Sequence, residues 1–197
     1  VEMMLAREVE GIIYATMWHR VVTPPKNILE TNVVLLDCYV EDRSLPSVVP
    51  DELRGGYEAT ARLIQNGHRR IGFMNHCDPD PAQVLRAEGY RRALSDHAIA
   101  FDEGLLVERI SEPSGGYEAM RLLLRLPELP TAVFCYNDRM AMGAYDALKE
   151  QGLKIPQDMA VIGYDNQELL AANLHPSLTT MELPHYGMGR WAAQYLL

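Results

Sequence analysis

The sequence predicts an α/β chain built on parallel sheets. Three observations carry that expectation. Short β-branched runs alternate with amphipathic stretches of helical length along the whole chain. The runs are continuously apolar, as in strands covered on both faces. Strand–helix–strand repetition joins parallel strands through right-handed crossovers.

The opening segment VEMMLAREVE reads as a helix entered part-way at Val1, feeding a strand over Gly11–Thr16. A second strand is expected over Val33–Asp37. The segment Cys38–Pro50, with two prolines and a charged EDR, is the most linker-like stretch. A helix follows near Glu52–Asn66, with Asp51 as a cap candidate and Gly67 as its stop. The next strand is Ile71–Asn75. Asp80 and then Pro81 pair an N-cap with a first-turn proline and open a helix over Pro81–His97.

A strand at Leu105–Ile110, a helix at Gly116–Leu124 and a strand at Thr131–Tyr136 come next. Asp138 is the expected cap of a helix over Arg139–Gln151. Gly152 ends that helix and Pro156 prevents its resuming. Strands at Ala160–Tyr164 and Leu178–Glu182 precede a last helix, Tyr186–Leu197, which has no stop signal. Both ends fall inside elements, so the chain reads as part of a longer protein. The string GGYEA occurs at Gly55–Ala59 and again at Gly115–Ala119. Two copies are too few for a solenoid and read as two helix starts with similar packing needs.

At 197 residues, 48% hydrophobic and 23% charged, the chain can bury a core without disulfides or metal. No apolar run approaches the ~18–20 residues of a membrane span, so no membrane partner is expected. The first residues carry acids where a signal peptide carries bases. Cys38, Cys77 and Cys135 are far apart and odd in number, which suits a reducing compartment and a cytoplasmic location.

Eighteen basic residues against 27 acidic ones give a net charge of −9. A module of that balance repels nucleic acid by itself. The nucleotide-binding, hydrolase and zinc-protease signatures are absent. The histidines form no spaced pair. The chain is therefore expected to be no enzyme, with no catalytic residue, metal or cofactor.

Open parallel sheets bind ligands outside the carboxyl ends of their strands. That rule selects Thr16 and Met17, Asp37, Asn75 and His76, Tyr136 to Asp138, and Asp165. Planar Asn and Asp side chains there suit a hydroxyl-rich small molecule. Taken singly, each reads as a turn or cap residue; the binding reading draws level only because several strand ends converge.

Several long strings then resemble, in register, the ligand-binding core of the LacI/GalR family of bacterial transcription repressors. They are NGHRRIGF (Asn66–Phe73), RAEGYRRAL (Arg86–Leu94), PTAVFCYNDRMAMGAYDAL (Pro130–Leu148), GLKIPQDMAVIGYDN (Gly152–Asn166) and HPSLTTMELPHYGMG (His175–Gly189). The resemblance runs nearly end to end. It implies two Rossmann-like subdomains of periplasmic-binding-protein type I around a cleft, the N-terminal one incomplete. Residues 1–48 resemble part of that subdomain, 49–176 the C-terminal subdomain, and 177–197 a return to the first. A DNA-binding head, a hinge and the first strands would lie outside this chain.

Functionally, the resemblance implies a sugar-like effector in the cleft, operator DNA held by the absent head, and a homodimer. The effector would favour one orientation of the subdomains and so control DNA binding. By the family pattern Arg86 bonds effector oxygens and Asp165 accepts from its hydroxyls or base. Asn137 supplies an amide. Asp37 lines the cleft and can orient the arginine, Thr16 and Met17 form a wall, and His185 is a further cleft position. Ser111 stands where several relatives carry an aromatic platform, so that floor is lost or supplied elsewhere. MAMGAYDAL and Asn166–His175 resemble parts of a dimer interface, or simply cover the sheet. The alternative is a periplasmic sugar-binding protein of a transport system, which shares the fold.

Overall fold

In the computed structural model, which describes all 197 residues, the apolar runs form two parallel sheets. A short helix α1 (Glu2–Leu5) leads into β1 (Gly11–Val21), β2 (Asn32–Tyr39) and the two-residue β3 (Ser47–Val48), which pair in that order. These elements, with the last helix, form one compact unit, Val1–Asp51 and Pro184–Leu197. Glu52–Leu183 form the other.

The second unit runs α2 (Glu52–Gln65), β4 (Ile71–His76), α3 (Pro81–Asp96), β5 (Leu106–Arg109), α4 (Pro113–Leu123), β6 (Ala132–Cys135), α5 (Asp138–Glu150), β7 (Ala160–Asp165), α6 (Glu168–Ala171) and β8 (Thr179–Glu182). Its sheet order is β5-β4-β6-β7-β8, all parallel. The chain then returns to the first unit as α7 (His185–Leu196), which packs on β2 and places Leu196 against Gly11.

In the second unit the two helix pairs cover opposite sheet faces. On one face Phe73 stacks on Phe134 at 4.5 Å and packs against Tyr90 of α3 at 5.3 Å. Tyr164 lies on the same face, against Gly55 of α2. On the other face Gly72 admits Leu123 of α4, and Gly163 admits Asp138 of α5. Strict alternation in β4 and β7 puts neighbouring residues on opposite faces. Burial on both explains why these strands read as unbroken apolar runs.

The duplicated GGYEA builds the same joint twice. Gly56 lies against the backbone of Arg86, and Gly89 against Leu53 and Tyr57. In the second copy Gly116 lies against the backbone of Met140, and Gly143 against Pro113 and Tyr117. In each pair the helices approach so closely that a Cβ would strike backbone. Gly116→Ala is expected to cost about 1–3 kcal/mol through forced overpacking. Gly189→Ala, with nothing within 4 Å of the new Cβ, should be neutral or mildly stabilising. Urea midpoints of the two variants test this.

Some boundaries differ from expectation, for local reasons. β1 continues to Val21 because a bulge, rather than a turn, follows Ala15. α4 starts at Pro113, which occupies its first turn, where a missing N–H costs nothing. Asn137, not Asp138, caps α5: its Oδ1 accepts from Met140 N at 2.9 Å. The short β3, the 3-10 turns Lys26–Glu30 and Glu103–Leu105, and α6 were not signalled by periodicity. The units change at Glu52 and at Pro184, rather than at 49 and 177. β8 is the reason for the second shift, because it pairs with β7 in the second sheet.

Candidate functional site

The carboxyl ends of β6 and β7 converge on a buried charge cluster in the second unit. Arg86, on the inward face of α3, is only 3% exposed. Its Nε donates to Glu52 Oε2 at 2.7 Å and its Nη2 to Glu52 Oε1 at 3.2 Å. Nη1 donates to the backbone carbonyl of Tyr136. The guanidinium lies between two rings, 3.6 Å from the centroid of Tyr164 and 4.6 Å from that of Tyr136. Glu52 is 1% exposed. Burial by itself would lower the Arg86 pKa, but the charge and hydrogen bonds of Glu52 outweigh it and keep the group ionised.

Asp165 stands at the edge of this cluster. Its Oδ1 is 3.9 Å from Arg86 Nη2, and its Oδ2 accepts from Gln167 Nε2 at 3.2 Å. Its side chain keeps 20% exposure. Burial pushes its pKa up to about 6, with Arg86 and Gln167 holding it back. Its φ is 102° and that of Asn166 is 54°. Such backbone is costly for a residue with a side chain and persists only where the surroundings impose it.

Asp138 completes the cluster. It accepts from Thr180 Oγ1 at 2.6 Å and from Gln167 N at 2.7 Å. Burial raises its pKa, partly offset by Thr180.

Asn137 is committed to structure. Beyond capping α5, it donates through Nδ2 to the carbonyl of Ser111 at 3.0 Å, so Ser111 enters the site region through its backbone. At the end of β4, Asn75 Oδ1 and His76 Nδ1 are buried without a hydrogen-bond partner in the protein. His76 packs on Tyr136, with ring centroids 5.5 Å apart, and the Tyr136 hydroxyl donates to Asp80 Oδ2 at 3.1 Å.

In the first unit, Thr16, Met17 and Asp37 meet at the bulge. Asp37 alone opposes the four residues Thr16–His19. The Thr16 hydroxyl donates to the carbonyl of Asp37 at 2.9 Å, and Met17 is thrown out to 91% exposure. Bulges re-aim side chains in this way beside functional sites. Asp37 is buried with φ of 59°, so both strand-end aspartates have left-handed backbone. His185 is the exposed first residue of α7. A surface cavity of about 720 Å³ between α4 and α5 and one of about 510 Å³ beside the end of β1 lie away from all these side chains.

Sequence reading named Arg86 and Asp165 but missed Glu52, Tyr136 and Tyr164 as their neighbours. For Glu52 a signal existed: it shares a helical face with Gly55, Gly56, Ala59 and Leu63, all buried. A charge in that series needs a buried partner. Arg86, in series with Ala82, Gly89, Tyr90 and Ala93, carries the complementary signal.

Comparison with known proteins agrees with this architecture. The family model of the periplasmic binding protein-like domain matches residues 60–197. The HTH-type transcriptional repressor PurR of Vibrio atlanticus (strain LGP32) is 34% identical over 201 residues. The alignment takes in 100% of this chain and 59% of that repressor, so the chain spans well under two thirds of this curated relative. A putative LacI-family transcriptional regulator from Rhizobium etli superposes with a TM-score of 0.89 at 32% identity, over 99% of this chain and 72% of that one. A LacI-family regulator from Enterococcus faecium, solved with bound ribose, superposes with a TM-score of 0.79 at 29% identity, over 98% and 72% of the two chains. The chain belongs to the periplasmic binding protein-like domain family and, within it, to the LacI family of transcriptional regulators.

Proposed function

We propose that this chain is the effector-binding and dimerisation core of a LacI-type transcription regulator, and that its effector is a small polyhydroxy molecule of the sugar class. The observation that carries the proposal is Asp165: a partly exposed carboxylate at a strand end, in strained backbone, held from behind by Arg86 and Gln167. An ionised carboxylate accepts several hydrogen bonds at once, which suits adjacent hydroxyls. Asn75 Oδ1, without a partner in the protein, is a second acceptor at a neighbouring strand end.

A regulator is favoured over a transport component by the relatives, which are named as repressors and regulators. DNA contact then belongs to a segment outside these 197 residues, which agrees with the charge of −9. A second copy of the chain is the expected partner. α5 spends Met140, Ala144, Tyr145 and Leu148 in its own core, whereas Leu169 of α6 is 91% exposed and is available to another surface.

The test is a thermal-shift and calorimetric screen of the intact protein against ribose, other neutral sugars and nucleosides. At least one is expected to bind saturably, and Asp165→Ala to weaken it by about 10–100-fold, as for a lost hydrogen bond to a charged group. Unchanged affinity in that variant would remove Asp165 from the site.

A further inference from the structure

We infer that Glu52 sets the charge class of the effector: it saturates the cationic fork of Arg86, so the second unit receives a ligand that carries no negative charge and donates hydrogen bonds to Asp165. This rests on the proposal that the strand-end groups receive the effector.

A free guanidinium in a ligand site is a fork for carboxylate or phosphate. In this chain that fork is closed. The Nε and Nη2 edge is taken by both oxygens of Glu52, at 2.7 and 3.2 Å. Nη1 is turned to the Tyr136 carbonyl, and the rings of Tyr136 and Tyr164 flank the group. An incoming anion would have to displace a bidentate carboxylate held on the buried face of the neighbouring helix α2.

The surrounding charge points the same way. Around the one guanidinium stand three carboxylates, Glu52, Asp165 and Asp138, and Asp138 and Glu52 both push the Asp165 carboxyl up. The basic side chains at the carboxyl end of β5 and just after β6 are engaged by other acids, Arg109 by Glu118 at 3.4 Å and Arg139 by Glu112 at 2.9 Å. A second negative charge beside Asp165 meets net repulsion in a medium that screens poorly. A hydroxyl or ammonium donor meets an acceptor.

Glu52 is thus a specificity-determining residue that touches Arg86 rather than the ligand. Its removal should convert the site to one that takes anions. The probes are inorganic phosphate, and D-ribose against D-ribose 5-phosphate, each titrated into the intact protein. Wild type is expected to show no saturable response to phosphate. Glu52→Ala, which frees the fork and makes room beside it, should be stabilised saturably by phosphate. Adding Arg86→Met to that variant should abolish the response.

Removing one partner of a buried pair can prevent folding. The near-isosteric Glu52→Gln keeps the shape and removes only the charge, and phosphate should stabilise it as well. A saturable phosphate response in wild type that Arg86→Met removes would overturn the inference. So would a folded Glu52 variant indifferent to phosphate. In wild type, ribose 5-phosphate should bind at least about tenfold more weakly than ribose, and tighter binding of the phosphate ester would overturn the inference. Failure of every neutral sugar and nucleoside to bind would count against the effector site itself. The phosphate comparison between wild type and the Glu52 variants would still decide what Glu52 does.

Discussion

Replacing Arg86 with alanine is expected to destabilise the second unit by about 3–5 kcal/mol, the usual loss when one member of a buried ion pair is removed. Glu52 would remain 1% exposed with its charge uncompensated, and the space between the Tyr136 and Tyr164 rings would be vacated. At about 2–4 °C per kcal/mol for a domain of this size, the melting temperature should fall by about 10 °C. An arginine that only contacted effector would lose binding and leave stability untouched, so the melt separates the two roles. The paired replacement Glu52→Leu with Arg86→Met should recover most of the loss, because apolar side chains of similar volume often serve a buried site as well as the ion pair did. The cycle of wild type, both single variants and the double then gives the coupling directly. Additive losses would show that the two side chains do not act as a pair.

Most strands and the long helices were legible in the sequence because burial on both faces writes continuous apolar strands, and caps mark helix starts; the order β5-β4-β6-β7-β8 was not. Asp80 followed by Pro81 predicted the start of α3 to the residue, with Asp80 Oδ1 accepting from Gln83 N. Asn137 and Asp138 were harder. Two adjacent cap-forming residues are indistinguishable by type, and only the three-dimensional partners, Met140 N for one and Thr180 with Gln167 for the other, separate them.

The strand-end rule picked out Asp37 and Asp165 from topology alone. The local pattern marks Glu52 only as a charge on a buried helix face; its partner lies on another helix, 34 residues away in sequence, and no local pattern names which residue that is. The GGYEA copies were legible as helix starts. That each licenses a close helix crossing depended on Gly89 and Gly143, which sit in different strings, RAEGY and RMAMGAY.

Asp165→Asn is expected to stabilise the protein near neutral pH while impairing effector binding. The folded state raises the carboxyl pKa from 3.8 to about 6. Between those values the folded state holds more of the proton than the unfolded one, so this group's contribution to stability falls as pH rises from about 4 to about 6. Above pH 6 the penalty is complete and amounts to about 2–3 kcal/mol. Below pH 4 both states are protonated and it vanishes. Asn is neutral throughout and accepts a φ of 102° with less strain than most residues. The variant's advantage should therefore be about 2–3 kcal/mol at pH 7, shrink through pH 6 to 4, and disappear at pH 4. Denaturant titrations of both proteins across that range measure it, and parallel pH profiles would show that Asp165 bears no such penalty. If the gain is found together with weaker effector binding, the strand-end carboxylate is kept charged and strained for the ligand, at the expense of the fold that holds it.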